Sequence, residues 1–478
     1  MRYHACRLSI RNHLSRRAFA RLAVGAAAAP LAFVGCESDR EPRRLGEVPN
    51  IILAMSDDQG WGDTGYNGHP HLRTPYLDEM ARTGLRFDRF YSAAPVCSPT
   101  RGSCLTGRHP YRYGIFHANS GDGDSFYPLP AEELTLAETL KPLGYASGHF
   151  GKWHLGDFKG KQKSSPSDNG FDEWFSTVRK TPTYDPEGYW ANGEPVTDEL
   201  KGDDSTLIVS RALDFIERQV DKDRPFFVVL WFHTPHLPVV SKGAHRVIYD
   251  DHPGASADYW GAISAMDEQL GRLRRELQRM DAAEDTMLWF SSDNGPEGAE
   301  ESPERPGSTG GLRGRKRSLF EGGVRVPGLL EWPARMAEGR ASAIPVTASD
   351  IYPTILDVLN LSPEKQPEPT DGISLLPLIN GDMAERGSNI AFETDRHDDL
   401  TPQLALIGDR YKLITRLDDS PDLLFDIVND QAETKNIVDE QPQMRAAMRQ
   451  ELEQWRASCD ASREGRDYET GIKKNRAP

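Results

Sequence analysis

Short, almost uninterrupted apolar runs alternate along the chain with longer stretches of helical periodicity. The runs are Asn50-Ile-Ile-Leu-Ala-Met55, Phe226-Phe-Val-Val-Leu-Trp-Phe232 and Thr286-Met-Leu-Trp-Phe290. Continuous apolarity over so short a span suits strands buried on both faces. Each run ends in polar residues: Asp57-Asp58, His233 and Asp293-Asn294. In open α/β sheets ligands gather beyond the carboxyl ends of the strands, so these endings predict polar groups converging in one crevice. Between the runs, Tyr259, Ile263, Met266, Leu270, Leu273, Leu277 and Met280 recur in steps of four and three. That spacing predicts an amphipathic helix packed on the sheet. Thr135 and Glu138 have capping-box spacing ahead of Leu140 and Leu143, which predicts a helix start. Strands alternating with helices predict an α/β fold, a large mixed but mostly parallel sheet sandwiched by helices.

After about residue 385 the pattern changes. Leu404–Ile414 and Leu423–Asp426 read as short antiparallel strands with a turn at Gly408-Asp409. Met444, Met448, Leu452, Trp455 and Cys459 mark one face of a closing helix, on which Cys459 reads as a small buried hydrophobe. The expected organisation is a main domain over 48–385, a smaller α+β subdomain of antiparallel strands on a helix over 386–461, and a polar tail over 462–478 that frays.

Residues 1–36 stand apart. Six arginines (Arg2, Arg7, Arg11, Arg16, Arg17 and Arg21) occur there without an acidic residue, and apolar Leu22–Val34 follows. This reads as an export signal. Ser15-Arg16-Arg17-Ala18-Phe19 resembles a twin-arginine signal, and Phe33-Val34-Gly35-Cys36 resembles a lipobox with an unusually bulky first residue. The expectation is an exported bacterial protein, periplasmic or tethered by lipid at Cys36, with 37–47 as linker. No run reaches the ~18–20 apolar residues of a spanning helix, so membrane contact is expected only through that lipid.

Composition narrows the function classes. The 478-residue chain is too long for a miniprotein or a single binding module. Its 57 basic and 73 acidic residues give a net charge of −16, which argues against a nucleic-acid partner. Five scattered cysteines are too few for a disulfide framework.

The richest string is Cys97-Ser98-Pro99-Thr100-Arg101-Gly102-Ser103, continuing to Leu105-Thr106-Gly107-Arg108. On residue chemistry alone, Cys97 is either an inert loop cysteine or a nucleophile whose thiolate Arg101 and Arg108 favour. Asp57, Asp58, Asp293 and Asn294 offer hard oxygen donors, which select Ca²⁺ or Mg²⁺ over zinc. His154 and His233 are candidates for proton transfer.

The string resembles the Cys-x-Pro-x-Arg signature of the type I, formylglycine-dependent sulfatases of the alkaline-phosphatase-like superfamily. Further blocks occur in that family's order: Asn50 to Trp61, Gly151-Lys-Trp-His-Leu-Gly156, Phe232-His-Thr-Pro-His236, Ser292-Asp-Asn-Gly295, and Leu312 to Gly323. The resemblance covers about residues 48–460 and implies an alkaline-phosphatase-like fold. It implies that a formylglycine-generating enzyme converts Cys97 to an aldehyde before export, leaving Cys104 free or buried. It also implies Ca²⁺, with Mg²⁺ as the alternative, held by Asp57, Asp58, Asp293, Asn294 and the group at position 97. In the implied cycle one hydroxyl of the hydrated aldehyde attacks sulfur and displaces the alcohol. The other, deprotonated by His154, then expels sulfate. Arg101, Lys152 and Lys316 stabilise charge at the sulfate, and His233 with Lys316 protonates the leaving oxygen.

His236, Arg313 and Trp190 are candidate substrate contacts; Arg315 and Arg317 either bind the anion or are solvated. Specificity is expected from loops 157–204 and 296–312, the first carrying Tyr184, Tyr189 and Trp190. The expected substrate is a sulfated small molecule or oligosaccharide. The competing readings are a phosphodiesterase or phosphonate monoester hydrolase on the same scaffold, and a non-catalytic glycan-binding lipoprotein. A body of charge −16 repels long sulfated polymers at low salt, which favours short oligosaccharides or terminal sulfates.

Overall fold

The computed structural model describes residues 46, 48–118, 127–336, 338–363, 366–394, 404–417 and 420–468. The expected export signal with its lipobox lies outside the described residues, as do nearly all of the linker and 469–478 of the tail.

In chain order the strands begin with β1 (Asn50–Ser56), β2 (Leu85–Phe87), β3 (Phe90–Tyr91), β4 (Ala146–Lys152), β5 (Glu173–Thr177) and β6 (Tyr189–Ala191). There follow β7 (Glu194–Pro195), β8 (Phe226–Trp231), β9 (Thr286–Ser292), β10 (Arg325–Val326), β11 (Gly328–Glu331), β12 (Arg340–Ser342) and β13 (Val346–Thr347). The last are β14 (Ile390–Glu393), β15 (Leu404–Ile407), β16 (Tyr411–Thr415) and β17 (Leu423–Asp426).

A ten-stranded sheet has the order β12-β2-β11-β9-β1-β8-β4-β5-β6-β7. Strands β9, β1, β8, β4 and β5 are parallel neighbours, flanked by antiparallel β11 and β6. The three apolar runs are therefore the adjacent central strands β9, β1 and β8, buried at every residue. Their apolarity is continuous because alternate side chains enter different cores. Ile51, Leu53 and Met55 join Cys104, Leu105, Leu136 and Ile355 on one face. Ile52 and Ala54 join Ile208, Leu213, Ile263 and Leu270 on the other. The expected mixed, mostly parallel sheet between helical layers is present.

The long amphipathic helix spans Gly254–Arg279 and buries Tyr259, Ile263, Met266, Leu270, Leu273 and Leu277. The capping box at Thr135 and Glu138 forms, but the helix is only Leu136–Leu140, passing into a 3₁₀ turn over Lys141–Leu143. Pro142 lacks the N–H that would continue it. Strand β4 has no apolar run to announce it, because Gly148, His149 and Gly151 interrupt it. Gly151 has φ +106, and a Cβ there would meet the Trp231 carbonyl oxygen at 2.0 Å. The glycine lets β4 close against β8. Among the described residues no helix is long and apolar enough to cross a membrane.

The C-terminal strands form an antiparallel sheet, β14-β15-β16-β17, with the helix Pro442–Arg463 burying Met448, Leu452 and Cys459. Gly408 N donates to Tyr411 O at 2.9 Å and closes the expected turn. This sheet is welded to the main body. Lys412 Nζ lies 2.9 Å from Glu321 and 3.0 Å from Glu433, all three side chains fully buried. The tail departs from expectation through residue 468. Ser462 is buried, Asp467 pairs with Arg108 at 2.7 Å, and Tyr468 donates to Glu133. The charge that suggested fraying is matched by buried partners.

Replacing Lys412 with Met leaves two carboxylates buried and facing each other. Chemical denaturation of Lys412→Met is expected to show a loss of about 3–5 kcal/mol; a loss below about 1 kcal/mol would mean the triad is not a weld.

Candidate active site

Parallel neighbours end at the same edge of a sheet, and here four of those ends carry the polar blocks. Register aligns Ser56 with Ser292 and Met55 with Trp231, while Gly151 also faces Trp231. Asp57-Asp58, Asp293-Asn294, His233 to His236 and Lys152 to His154 therefore emerge together. Cys97 arrives from the other side, as the first residue of the helix Cys97–Thr106. Its sulfur lies 3.5 Å from Asp57 Oδ1 and 4.0 Å from Asp58 Oδ1. A cavity of about 570 Å³ opens above it, lined by Lys152, His154, His236 and Lys316 among others.

Beneath the cavity, buried carboxylates and cations interlock. Lys152 Nζ is 2.6 Å from Asp57, and Lys316 Nζ is 2.6 Å from Asp58. Arg101 donates to Asp293 from Nε at 3.0 Å and from Nη2 at 2.6 Å, and to the Lys152 carbonyl from Nη1 at 3.0 Å. Arg101 thus sits behind the carboxylates and does not line the cavity, contrary to the expectation that it meets the sulfate. Its guanidinium fork is spent on fixing Asp293 and β4.

The oxygen donors suit a divalent cation. Asn294 Nδ2 donates to Asp58 Oδ1 at 2.7 Å, while Asn294 Oδ1 is buried with no hydrogen-bond partner. Burial and the neighbouring Asp57 push the Asp293 carboxyl up to about 7. Burial also acts on Asp57, but Lys152, His236 and Arg101 hold it well below the usual carboxylate range. Oxygen donors of this kind suit a hard cation such as Ca²⁺ or Mg²⁺. Asp57, Asp58, Cys97 and His236 also offer ligand atoms within 4.8 Å of one another. The two sets share Asp57 and Asp58, and His236 Nε2 stands 3.6 Å from Asp58 at the cavity wall.

Burial, then the Asp293 carboxylate, raises the Cys97 thiol. The thiolate that Arg101 and Arg108 suggested is not favoured: Arg101 serves Asp293, and Arg108 pairs with Glu133 at 3.2 Å. Cys97, Cys104 and Cys459 are buried free thiols. Cys97 and Cys104 are two turns apart on one helix, a rise of ~10 Å, beyond the ~7 Å reach of a disulfide.

The histidine block differs from expectation. His233 is fully buried, with Nδ1 at 2.8 Å from Asp204 and Nε2 at 2.7 Å from Thr177 Oγ1, so both ring nitrogens are engaged away from the cavity. His236 faces the cavity instead. A tight turn, His236 N to His233 O at 2.7 Å, puts the two rings on opposite sides.

Of the candidate substrate contacts, Arg313 donates to the Glu433 carbonyl at 3.1 Å and stacks over Phe320, on the C-terminal side. Trp190 lies on β6 under Lys159 and packs on the body. Neither lines the cavity. Arg315 is buried against the Glu297 carbonyl, whereas Arg317 reaches the cavity and pairs with Glu297 at 2.5 Å. Arg179, Lys180 and Phe116 also line it and carried no sequence signal. The first two follow β5, inside a segment expected to be a loop. Asp58, His154 and Arg317 all have positive φ, consistent with strain collecting at a functional site.

The sulfatase family model matches residues 49–361, and one described as N-sulphoglucosamine sulphohydrolase, C-terminal, matches 314–458. The chain is 36% identical over 367 residues to human N-acetylgalactosamine-6-sulfatase, covering 71% of this chain and 67% of that protein. The solved structure of Ps i-CgsB in complex with k-i-k-neocarrahexaose superposes with TM-score 0.76 at 25% identity, covering 86% of this chain and 93% of that one. The phosphonate monoester hydrolase of Agrobacterium radiobacter shares the fold, with TM-score 0.60 at 20% identity over 90% of this chain and the whole of that one.

A cation held by the oxygen set stabilises the folded state by mass action. Calorimetry is expected to show a stabilisation of about 2.7 kcal/mol at a hundredfold excess of Ca²⁺ over its Kd, reversed by chelator and absent from Asp293→Ala. An unchanged melting curve with and without chelator would contradict the assignment.

Proposed function

We propose, for a chain that belongs to the sulfatase family and is a sulfuric ester hydrolase, that it cleaves a sulfate ester of a saccharide using an aldehyde made from Cys97. The observation that carries this reading is the place of Cys97, on the floor of a cavity walled by Lys152, His154, His236 and Lys316. Hydrated, the formyl group supplies one hydroxyl to attack sulfur and a second whose deprotonation releases sulfate. Bound by Asp57, Asp58, Asp293 and Asn294, Ca²⁺ supplies Lewis acidity toward the sulfate, with Mg²⁺ as the competing ion.

The chain's own groups do the rest. Lys152 and Lys316 are fixed ammonium groups at the cavity surface and stabilise charge on the sulfate oxygens. His236 Nδ1 donates to the Leu237 carbonyl at 2.7 Å, so the ring gives a proton to the leaving oxygen from Nε2 only in its doubly protonated form, beside the Asp58 carboxylate at 3.6 Å. This is the role first expected of His233. His154 takes the proton of the second hydroxyl. Arg179 and Lys180 on the wall suit an anionic saccharide, and Phe116 and Leu237 its apolar ring face. The human N-acetylgalactosamine-6-sulfatase and the carrahexaose-bound structure support the saccharide class. Arg16-Arg17 and Cys36 support export and a lipid anchor, after a formylglycine-generating enzyme has acted on Cys97.

Phosphonate and phosphodiester substrates meet the same cations, so they belong in the test. Sulfate release is expected from a panel of defined sulfated sugars, with 6-sulfated N-acetylgalactosamine the first to try, at rates above any phosphonate monoester hydrolysis. Cys97→Ala is expected to lose turnover, and His236→Ala to lower kcat by about 10²–10⁴-fold. Faster phosphonate than sulfate cleavage would overturn the substrate class, and an active Cys97→Ala the nucleophile.

A further inference from the structure

His233 is buried, fully engaged and outside the cavity, yet it is tied to the wall that carries the chemistry. Asp204 begins the helix Asp204–Val220, and its Oδ1 accepts from Tyr189 Oη at 2.6 Å. Its Oδ2 lies 2.8 Å from His233 Nδ1. His233 Nε2 lies 2.7 Å from Thr177 Oγ1, and that hydroxyl donates to the Arg179 carbonyl at 2.5 Å. All four side chains up to Thr177 are buried.

Counting hydrogens fixes the far end of this chain. Thr177 has one hydroxyl hydrogen, and so short a contact with a carbonyl places it on Arg179 O. His233 Nε2 lies against that same hydroxyl oxygen, and Nδ1 faces the carboxylate. Both ring nitrogens are thereby engaged, one by the Asp204 carboxylate and one by the Thr177 hydroxyl. The ring has no free nitrogen for substrate.

What the chain holds is the exit of β5. The Thr177 carbonyl accepts from Trp153 N at 2.9 Å, and the Val178 carbonyl accepts from His154 N at 3.1 Å. His154 itself stands at φ +60, a conformation that its surroundings must impose. The exit of β5 is that surrounding. We infer that Asp204, His233 and Thr177 form a buried hydrogen-bonded chain whose work is to hold the Thr177–Arg179 segment and, through it, His154 in the position from which it acts. His233 is a positioning residue, and Asp204, Thr177 and Tyr189 belong to the same device.

The inference rests on the sulfatase reading above, in which His154 serves sulfate release after the alcohol has departed. Loosening the wall therefore slows chiefly the second half of the cycle, the first feeling it only through the Arg179 side chain on the cavity wall. Thr177→Val removes the hydroxyl and keeps the shape. It is expected to lower kcat by up to about 10²-fold while kcat/KM changes by less than about threefold, KM falling with kcat. Rapid mixing should show a burst of alcohol, and mass analysis of the peptide holding residue 97, quenched during turnover, should show retained sulfate. Thr177→Ser should restore the wild-type pattern, and Asp204→Asn should reproduce the Thr177→Val one. Equal falls in kcat and kcat/KM without a burst, or kinetics unchanged in Thr177→Val, would overturn the inference. A wild-type protein that releases no sulfate from any ester would instead sink the sulfatase reading.

Discussion

Charge balance below the cavity is the constraint on which the site depends. Asp57, Asp58 and Asp293 are buried at the ends of two adjacent strands, where an isolated carboxylate would cost several kcal/mol. Each is met by a buried cation from elsewhere in the chain: Lys152 from β4, Lys316 from the segment before β10, and Arg101 from the helix that begins at Cys97. The sheet brings the carboxylates together, and the carboxylates fix the cations. Five chain segments far apart in sequence are thereby locked into one arrangement, with Cys97 against its centre.

The same cluster has the donors to hold a divalent metal. Three carboxylates and three cations leave Asn294 Oδ1 without a partner and Asp293 pushed up to about 7 by burial and Asp57. Hard oxygen donors, one of them unpartnered, describe a site suited to a divalent cation. An acidic body and an anionic substrate are then compatible, because the positive charge is local. Lys152, Lys316, Arg179 and Lys180 line one cavity of a chain whose net charge is −16.

Much of this was legible in the sequence where a physical demand is continuous. β9, β1 and β8 must feed two cores at once, so every position is apolar and the strands announce themselves. The polar pairs at their ends could be placed by the same logic. β4 was hidden, because its close approach to β8 requires Gly151 and breaks the run. Spacing could not separate His233 from His236, since a single turn decides which ring faces the cavity. Arg101 looked like a sulfate ligand because sequence shows its charge and not the Asp293 that claims it. Trp190 was read on a loop that proved to be a strand, and Arg179 and Lys180 reach the cavity only because β5 pairs with β4. What escaped were residues whose role is set by a tertiary partner.

The central claim is that Cys97 becomes an aldehyde at the centre of this charge lattice. Peptide mass analysis of the mature protein, with a carbonyl-reactive hydrazide as a second probe, tests it most directly. The account predicts that the peptide holding residue 97 has lost the sulfur, has gained a carbonyl and is captured by the hydrazide. An unmodified thiol at that position in a fully active enzyme, or Cys97 in a disulfide, would contradict it.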